Sequence, residues 1–270
     1  MRAAYVTLVM LGDHYVPGAV ALAKSLLRTG TCHDLVCMVT KDVSESAIQS
    51  LSQVYDTIIV VEYLHMKCPS MMTKRQNEIY GNWIEYSFTK WQCLALGQYD
   101  KILYLDADHL VLKNIDHLFE LKAPAMCFTD ENYNYYNKYS YGTVLFNTTL
   151  RMFLKYNKIL CKGGTILFEP SAHLYYCILN IVNDNNLTSC CYHNGFDEQV
   201  LMRAIVKCNM TITQLSPLYV WNAGSYHKLH KRQEPFVINY YGDVKPWYFN
   251  NERINYLYMD IYIWKYIYEK

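Results

Sequence analysis

Residues 1–61 alternate between two kinds of segment, and few folds accommodate the pattern. Residues 4–9, 35–40 and 57–61 are short apolar runs rich in β-branched side chains. Between the first two, Val16, Ala19, Val20, Ala23 and Leu27 recur at the helical period, which predicts a helix over 15–27. Asp42-Val43-Ser44-Glu45 has the capping-box spacing and opens a second helix that runs to about residue 54. Strands that are apolar on both faces and alternate with helices predict an α/β fold, its parallel sheet covered on both sides. Ligands of such sheets lie outside the carboxyl ends of the strands.

A fourth apolar run, Lys101-Ile102-Leu103-Tyr104-Leu105, ends in Asp106-Ala107-Asp108. On a strand, residues i and i+2 point the same way, so this spacing predicts two carboxylates side by side. Like charges so placed repel unless a cation lies between them. A hard divalent ion with oxygen ligands, itself carrying phosphate oxygens, meets that need. An exposed turn with two solvated aspartates is the other reading of the same residues. Their position at the carboxyl end of a buried strand favours the ion.

Composition narrows the partners. With 52% hydrophobic and 18% charged residues the chain is no disordered segment. A formal net charge of +1 gives no basic footprint for nucleic acid or an anionic membrane surface. No run of apolar residues is long enough to span a membrane. Met1-Arg2 leads almost at once into a strand-like run without the apolar core of a signal peptide, so the expected location is cytoplasmic. Ten cysteines show neither C-x-x-C nor zinc-finger spacing and are expected to be reduced and structural.

The remaining chain reads as elements of one domain spanning 1–270. Residues 67–81 are polar and irregular around Lys74-Arg75, and 83–97 predict a helix before the Asp106 strand. Residues 114–121 form a short helical turn, and 124–129 a further strand. Residues 130–140 are Asn- and Tyr-rich without a period, and 130–162 as a whole reads as an insertion. A strand over 165–168 precedes a helix opened by Pro170. A helix follows Phe196-Asp197-Glu198-Gln199, strands cover 211–215 and 236–240, and a last helix over 253–270 docks its aromatic side onto the core. A broad aromatic surface would point to a homodimer or a glycan-binding face.

Five of these stretches, in this order, carry a resemblance to the retaining glycosyltransferases of family 8, the family of glycogenin and galactinol synthase. Ala4-Tyr5-Val6-Thr7-Leu8 with Tyr15 and Gly18-Ala19 is similar to the opening strand and uridine-binding turn. Tyr104-Leu105-Asp106-Ala107-Asp108 with Asn114-Ile115-Asp116-His117-Leu118-Phe119 is similar to the metal motif and its downstream signature. Gly163-Gly164-Thr165-Ile166-Leu167-Phe168-Glu169-Pro170-Ser171 resembles the sugar-side strand and helix start. Glu198-Gln199 stands where the family has an acid–Gln pair, and Gly242-Asp243-Val244-Lys245-Pro246-Trp247 matches its G-x-x-K-P-W segment.

The resemblance implies a GT-A fold, a UDP-hexose donor carrying glucose or galactose, and Mn²⁺ or Mg²⁺ as cofactor. The acceptor would be a hydroxyl of a small polyol or sugar, or of a protein. By the same mapping Leu8 and Tyr15 contact the uracil, and Arg75 and Lys90 the ribose and phosphate side. Asp106 and Asp108 hold the metal, Ala107 between them lies among the donor-binding residues with Asp106 also near the ribose, and Gly242 and Lys245 hold the diphosphate. Glu198, Gln199 and Lys245 are the catalytic candidates, with neither Glu198 nor Gln199 assigned as a nucleophile. The family's third metal ligand, a histidine, is replaced by Asn239, whose carbonyl oxygen can also ligate a hard ion. The position of glycogenin's glucosylated tyrosine falls near Trp221, which has no hydroxyl to modify.

Overall fold

A computed structural model describes residues 1–68, 71, 73–129, 139–156, 161–184, 196–229, 232–242, 244–249 and 259–270. Eleven strands are described: β1 (Ala3–Val9), β2 (Asp34–Val39), β3 (Thr57–Val60), β4 (Lys101–Leu105), β5 (His109–Val111), β6 (Ala125–Phe128), β7 (Val144–Leu145), β8 (Cys161–Phe168), β9 (Ile212–Gln214), β10 (Trp221–Asn222) and β11 (Val237–Asn239). The α-helices are α1 (Val16–Arg28), α2 (Glu45–Ser52), α3 (Lys74–Tyr80), α4 (Asn147–Lys155), α5 (Ala172–Val182), α6 (Phe196–Lys207) and α7 (Met259–Glu269).

Eight strands form one sheet in the order β3-β2-β1-β4-β8-β6-β9-β7. The β3-β2-β1-β4 half is parallel throughout. Beyond it β8 runs antiparallel to both β4 and β6, β9 returns parallel to β6, and β7 is antiparallel to β9. A second sheet, β10-β11-β5, stands beside the carboxyl end of β4. The expected α/β architecture with a mostly parallel sheet is therefore present.

Strands β1, β2 and β4 are buried on both faces, as their apolar sequence requires, whereas β3 at the sheet's edge is only half-buried and leaves Val60 63% exposed. Val6, Val36, Ile102 and Tyr104 face one layer with Phe88, Trp91, Ile178 and Leu201. Tyr5, Cys37, Leu103 and Leu105 face the other, with Leu22, Leu26, Leu51 and Phe119. Substituting alanine for any of these large side chains removes about 2–5 kcal/mol. A third cluster seats Trp264 and Ile267 of α7 against Leu110, Ile238 and Tyr240, so the described part of the last helix docks as expected. Among the described residues no helix is long and apolar enough to cross a membrane.

Four local expectations are corrected. Ile84–Ala95 is a 3₁₀-helix, not an α-helix. It buries Ile84, Ser87, Phe88, Thr89, Trp91, Cys93 and Leu94, so packing on several sides sets its winding in place of a one-face period. The irregular stretch 67–81 contains α3, opened by a capping box between Thr73 and Gln76. No residue of α3 is buried, which is why no apolar period announced it. Ser44 caps α2 by accepting from Ala47 N–H, whereas Asp42 accepts from Thr40 and Tyr63. Strand β8 begins at Cys161, so Gly163 and Gly164 lie inside it.

Of the expected insertion, 139–156 carries β7 and α4, while 130–138 and 157–160 lie outside the described residues. So do 253–258 of the expected last helix, Asp243, and the adjacent Cys190 and Cys191.

Candidate active site

Strand β4 stops at Leu105, and Asp106 N–H donates to Gly164 O at 2.9 Å. His109 N–H then donates to Asp106 O at 3.0 Å, closing a turn from which β5 departs into the smaller sheet. Asp106 and Asp108 therefore occupy a turn between two sheets. The strand-parity argument does not apply to them; turn closure brings the carboxylates together.

Each carboxylate has an ammonium partner. Lys90 Nζ lies 3.2 Å from Asp106 Oδ1 and 2.8 Å from Asp197 Oδ2. Lys245 Nζ lies 2.6 Å from Asp108 Oδ2 and donates to Tyr240 O at 2.9 Å. Tyr240 N–H donates in turn to Asp108 O, which fixes the Lys245 segment to the turn. Burial alone would lower the Lys90 ammonium, but Asp106 and Asp197 outweigh it and hold the pKa well above the ordinary lysine value. The same opposition holds for Lys245 beside Asp108. Conversely, burial would raise Asp108 and Asp197, and their lysines hold both below the usual carboxylate range.

Two groups enter the site that the sequence did not flag. Asp197 is only 5% exposed and joins Lys90 to α6; an acidic residue in a helix's first turn is common for dipole reasons alone, so its local sequence is uninformative. His109 is 1% exposed, with Nδ1 3.3 Å from Asp108 Oδ1. Its Nε2 is buried without a hydrogen-bond partner. The tautomer carrying hydrogen on Nδ1 donates to Asp108 and leaves the Nε2 lone pair free. Its place immediately after Asp108 was the available signal.

The glycines of β8 make room for these groups. A Cβ on Gly164 would stand 2.5 Å from His109 Cε1, 2.8 Å from His109 Nε2 and 3.0 Å from Asp106 Oδ2. A Cβ on Gly163 would stand 2.7 Å from Glu198 Oε1, to which Gly163 N–H donates at 3.2 Å. Glu198 Oε2 is buried without a hydrogen-bond partner. Burial, with the neighbouring Asp197 charge, raises Glu198 well above the usual carboxylate range. Gln199 is 3% exposed on the same helix turn.

On the other side, Leu8 is buried near the carboxyl end of β1 and Tyr15 is the N-cap residue of α1. The Tyr15 ring meets Trp247 edge-on at 5.5 Å, and Lys245 Nζ lies 5.6 Å from the Tyr15 ring centroid. Burial pushes the Tyr15 hydroxyl up to about 12. A Cβ on Gly18 would stand 2.5 Å from Ala107 O and 2.8 Å from the Trp247 ring, so glycine alone lets α1 approach both. Gly242 has φ +104°, open to glycine and strained for any side chain. Tyr241 beside it meets Tyr80 of α3, hydroxyl to hydroxyl, at 2.6 Å. Arg75 stands exposed on α3 in an i,i+3 pair with Glu78 at 3.6 Å. Asn239 lies opposite His109 in the β11/β5 ladder, with its Nδ2 donating to Asn222 Oδ1 at 3.3 Å.

The described site thus joins Asp106, Asp108, Lys90, Lys245, Asp197 and His109, with Glu198 held against Gly163. The solved galactosyltransferase LgtC, determined with donor and acceptor sugar analogues, superposes with a TM-score of 0.63 at 14% identity over 98% of this chain and 95% of that one. The bifunctional glycosyltransferase WbbM gives 0.60 at 17% identity over 97% of this chain and 51% of that one. These likenesses show a shared GT-A fold. The uncharacterized protein R707 of Acanthamoeba polyphaga mimivirus is 32% identical over 249 residues, 90% of this chain and 82% of that protein. Human glycogenin-1 is 26% identical over 256 residues, where the match spans 90% of this chain and 62% of glycogenin-1. The model of glycosyl transferase family 8 matches residues 6–152, which contain most of β1, the Asp106 turn and Lys90. The chain belongs to glycosyl transferase family 8.

Proposed function

We propose that this protein is a retaining transferase that moves glucose or galactose from a UDP-hexose to a hydroxyl acceptor with Mn²⁺. Residues 1–270 act as one nucleotide-sugar-binding unit, with 130–162 on the acceptor side. The observation that carries this reading is the cluster Asp106, Asp108 and His109, whose ligand atoms lie within 4.8 Å of one another beyond the carboxyl end of β4. Its donors fit the ion: two hard carboxylates and a borderline imidazole suit Mn²⁺, and Nε2 of His109 is buried with nothing else to bond. Gly164 passes so close to His109 Nε2 and Asp106 Oδ2 that any side chain there would crowd both donors.

The reaction breaks a bond between an anomeric carbon and a diphosphate, so charge grows on the leaving oxygens. A bound divalent ion supplies Lewis-acid stabilisation of that charge. Lys245 supplies a second, protein-borne positive charge, kept protonated by Asp108 and already desolvated. Lys90 clamps Asp106 to Asp197 and so fixes the metal-side carboxylate relative to α6. Leu8, Tyr15, Ala107 and Gly242 border the nucleotide side, with Arg75 reaching from α3. Glu198 and Gln199 face the sugar side, where burial and the Asp197 charge favour the protonated form of Glu198, which adds no repulsion to a diphosphate. Asn239 retains an amide oxygen toward the ion, while the nitrogen donor comes from His109 on the facing strand.

A second reading is a nucleotide-sugar-binding protein without transfer, favoured by the loss of histidine at Asn239. UDP release with and without candidate acceptors, together with NMR of the product's anomeric proton, separates the two. Acceptor-stimulated release with retained configuration supports transfer; UDP binding without release or product supports the binding protein.

A further inference from the structure

Helix α5 presents His173 and Cys177 one turn apart, at i and i+4, and so on one face. Cys208 follows the last residue of α6 and its N–H donates to Ala204 O at 2.8 Å, continuing the helix bonding by one residue. The next residue, Asn209, has φ +52° and turns the chain away. Cys208 Sγ is thereby delivered 3.2 Å from Cys177 Sγ. The ligand atoms of His173, Cys177 and Cys208 all lie within 4.8 Å of one another. His173 is exposed, Cys177 is 9% exposed and Cys208 is half-buried, so the trio opens to solvent on one side.

We propose that His173, Cys177 and Cys208 form a site for a thiophilic divalent ion of the zinc class, with a water or other small ligand in the fourth position. Two sulfurs and an imidazole nitrogen are the donor set that tetrahedral zinc takes, and a poor one for Mn²⁺ or Mg²⁺. The metal displaces one proton from each thiol, forms two sulfur–metal bonds and takes the imidazole lone pair; no electron is transferred. The site is chemically separate from the carboxylate turn. It is also physically separate: Asp197 and Cys208 bracket α6, about 16 Å apart at the helical rise. Binding there staples the far end of α6 to α5, and α6 carries Asp197 and Glu198 at its other end. The inference does not depend on the transferase reading.

The test uses the whole chain, purified under reducing conditions, stripped with chelator and titrated with Co²⁺ alone and then with Zn²⁺. The expected result is a sulfur-to-cobalt charge-transfer band with tetrahedral visible bands, saturating at one ion per chain and erased by Zn²⁺. Both signals are lost in Cys177→Ser and Cys208→Ser and weakened in His173→Ala. They persist in an Asp106→Asn, Asp108→Asn double variant, so failure at the active site leaves this readout intact. Zn²⁺ also raises the melting temperature of the natural chain and not of Cys208→Ser, whose half-buried position keeps it foldable if Cys177→Ser is not. Absence of the thiolate band, its persistence in the cysteine variants, or a Cys177–Cys208 disulfide in the protein as isolated would overturn the proposal.

Discussion

Lys245 Nζ and Asp108 Oδ2 are 2.6 Å apart, and both side chains are nearly removed from solvent, 5% and 15% exposed. The ammonium expected to meet a diphosphate thus holds the carboxylate expected to meet the metal. A divalent ion bound at Asp108 would compete with Lys245 for the same oxygen and would free the ammonium for the phosphate side.

Removing that ammonium leaves a buried charge unpaired. Lys245→Met is expected to lose about 3 kcal/mol of stability in the presence of EDTA. Saturating Mn²⁺ restores part of the loss, because the metal replaces the missing cation. Urea denaturation with and without Mn²⁺ measures both; equal losses in the two conditions would show that the metal does not reach Asp108.

The charged network sets opposite pH limbs. Asp108 and Asp197 are lowered in the folded state, so their contribution is present above the unfolded carboxylate range, near pH ~4. It is lost as pH falls through their folded values. Glu198 is raised, so folding favours its protonated form below the unfolded value, and that advantage fades as pH rises toward its folded value. Glu198→Gln keeps an oxygen for Gly163 N–H and removes the ionisation. It is expected to be more stable than the natural chain at neutral pH and to flatten the decline above it. Stability curves from pH 5 to about 9 check the sign; a variant less stable at every pH would refute it.

The α/β alternation was legible because β1 to β4 are apolar on both faces, a pattern that leaves little choice of layer. Asp106, Asp108 and Lys245 were legible as motif residues. Helix α3 was not, because a helix with no buried face has no period to detect. Asp197 was hidden for another reason: its meaning depends on Lys90, which is remote in sequence, while its own neighbourhood reads as an ordinary helix start. Gly163 and Gly164 looked like a boundary before a strand. In the structure they are strand residues whose missing side chains admit Glu198 and His109.

That space is directly testable. Gly164→Ala places a methyl 2.5 Å from His109 Cε1 and 3.0 Å from Asp106 Oδ2, and is expected to cost about 1–3 kcal/mol through overpacking. Mn²⁺ binding by calorimetry should weaken more than stability does. Unchanged Mn²⁺ affinity would mean that the ion does not sit beside β8.

His109→Ala removes the nitrogen donor. Mn²⁺ affinity is expected to fall at least about tenfold, the lower range for losing even an outer partner of a metal ligand. Asn239→His, opposite His109 in the ladder, is expected to recover affinity in the His109→Ala background. No recovery would indicate that the two positions do not share the ion.

The most direct test of the account is UDP release from a panel of UDP-sugars, with Mn²⁺ against EDTA, for the natural chain and Asp108→Asn. The account predicts release from UDP-glucose or UDP-galactose that requires the metal and disappears in Asp108→Asn. Release that is indifferent to both EDTA and Asp108→Asn would contradict it.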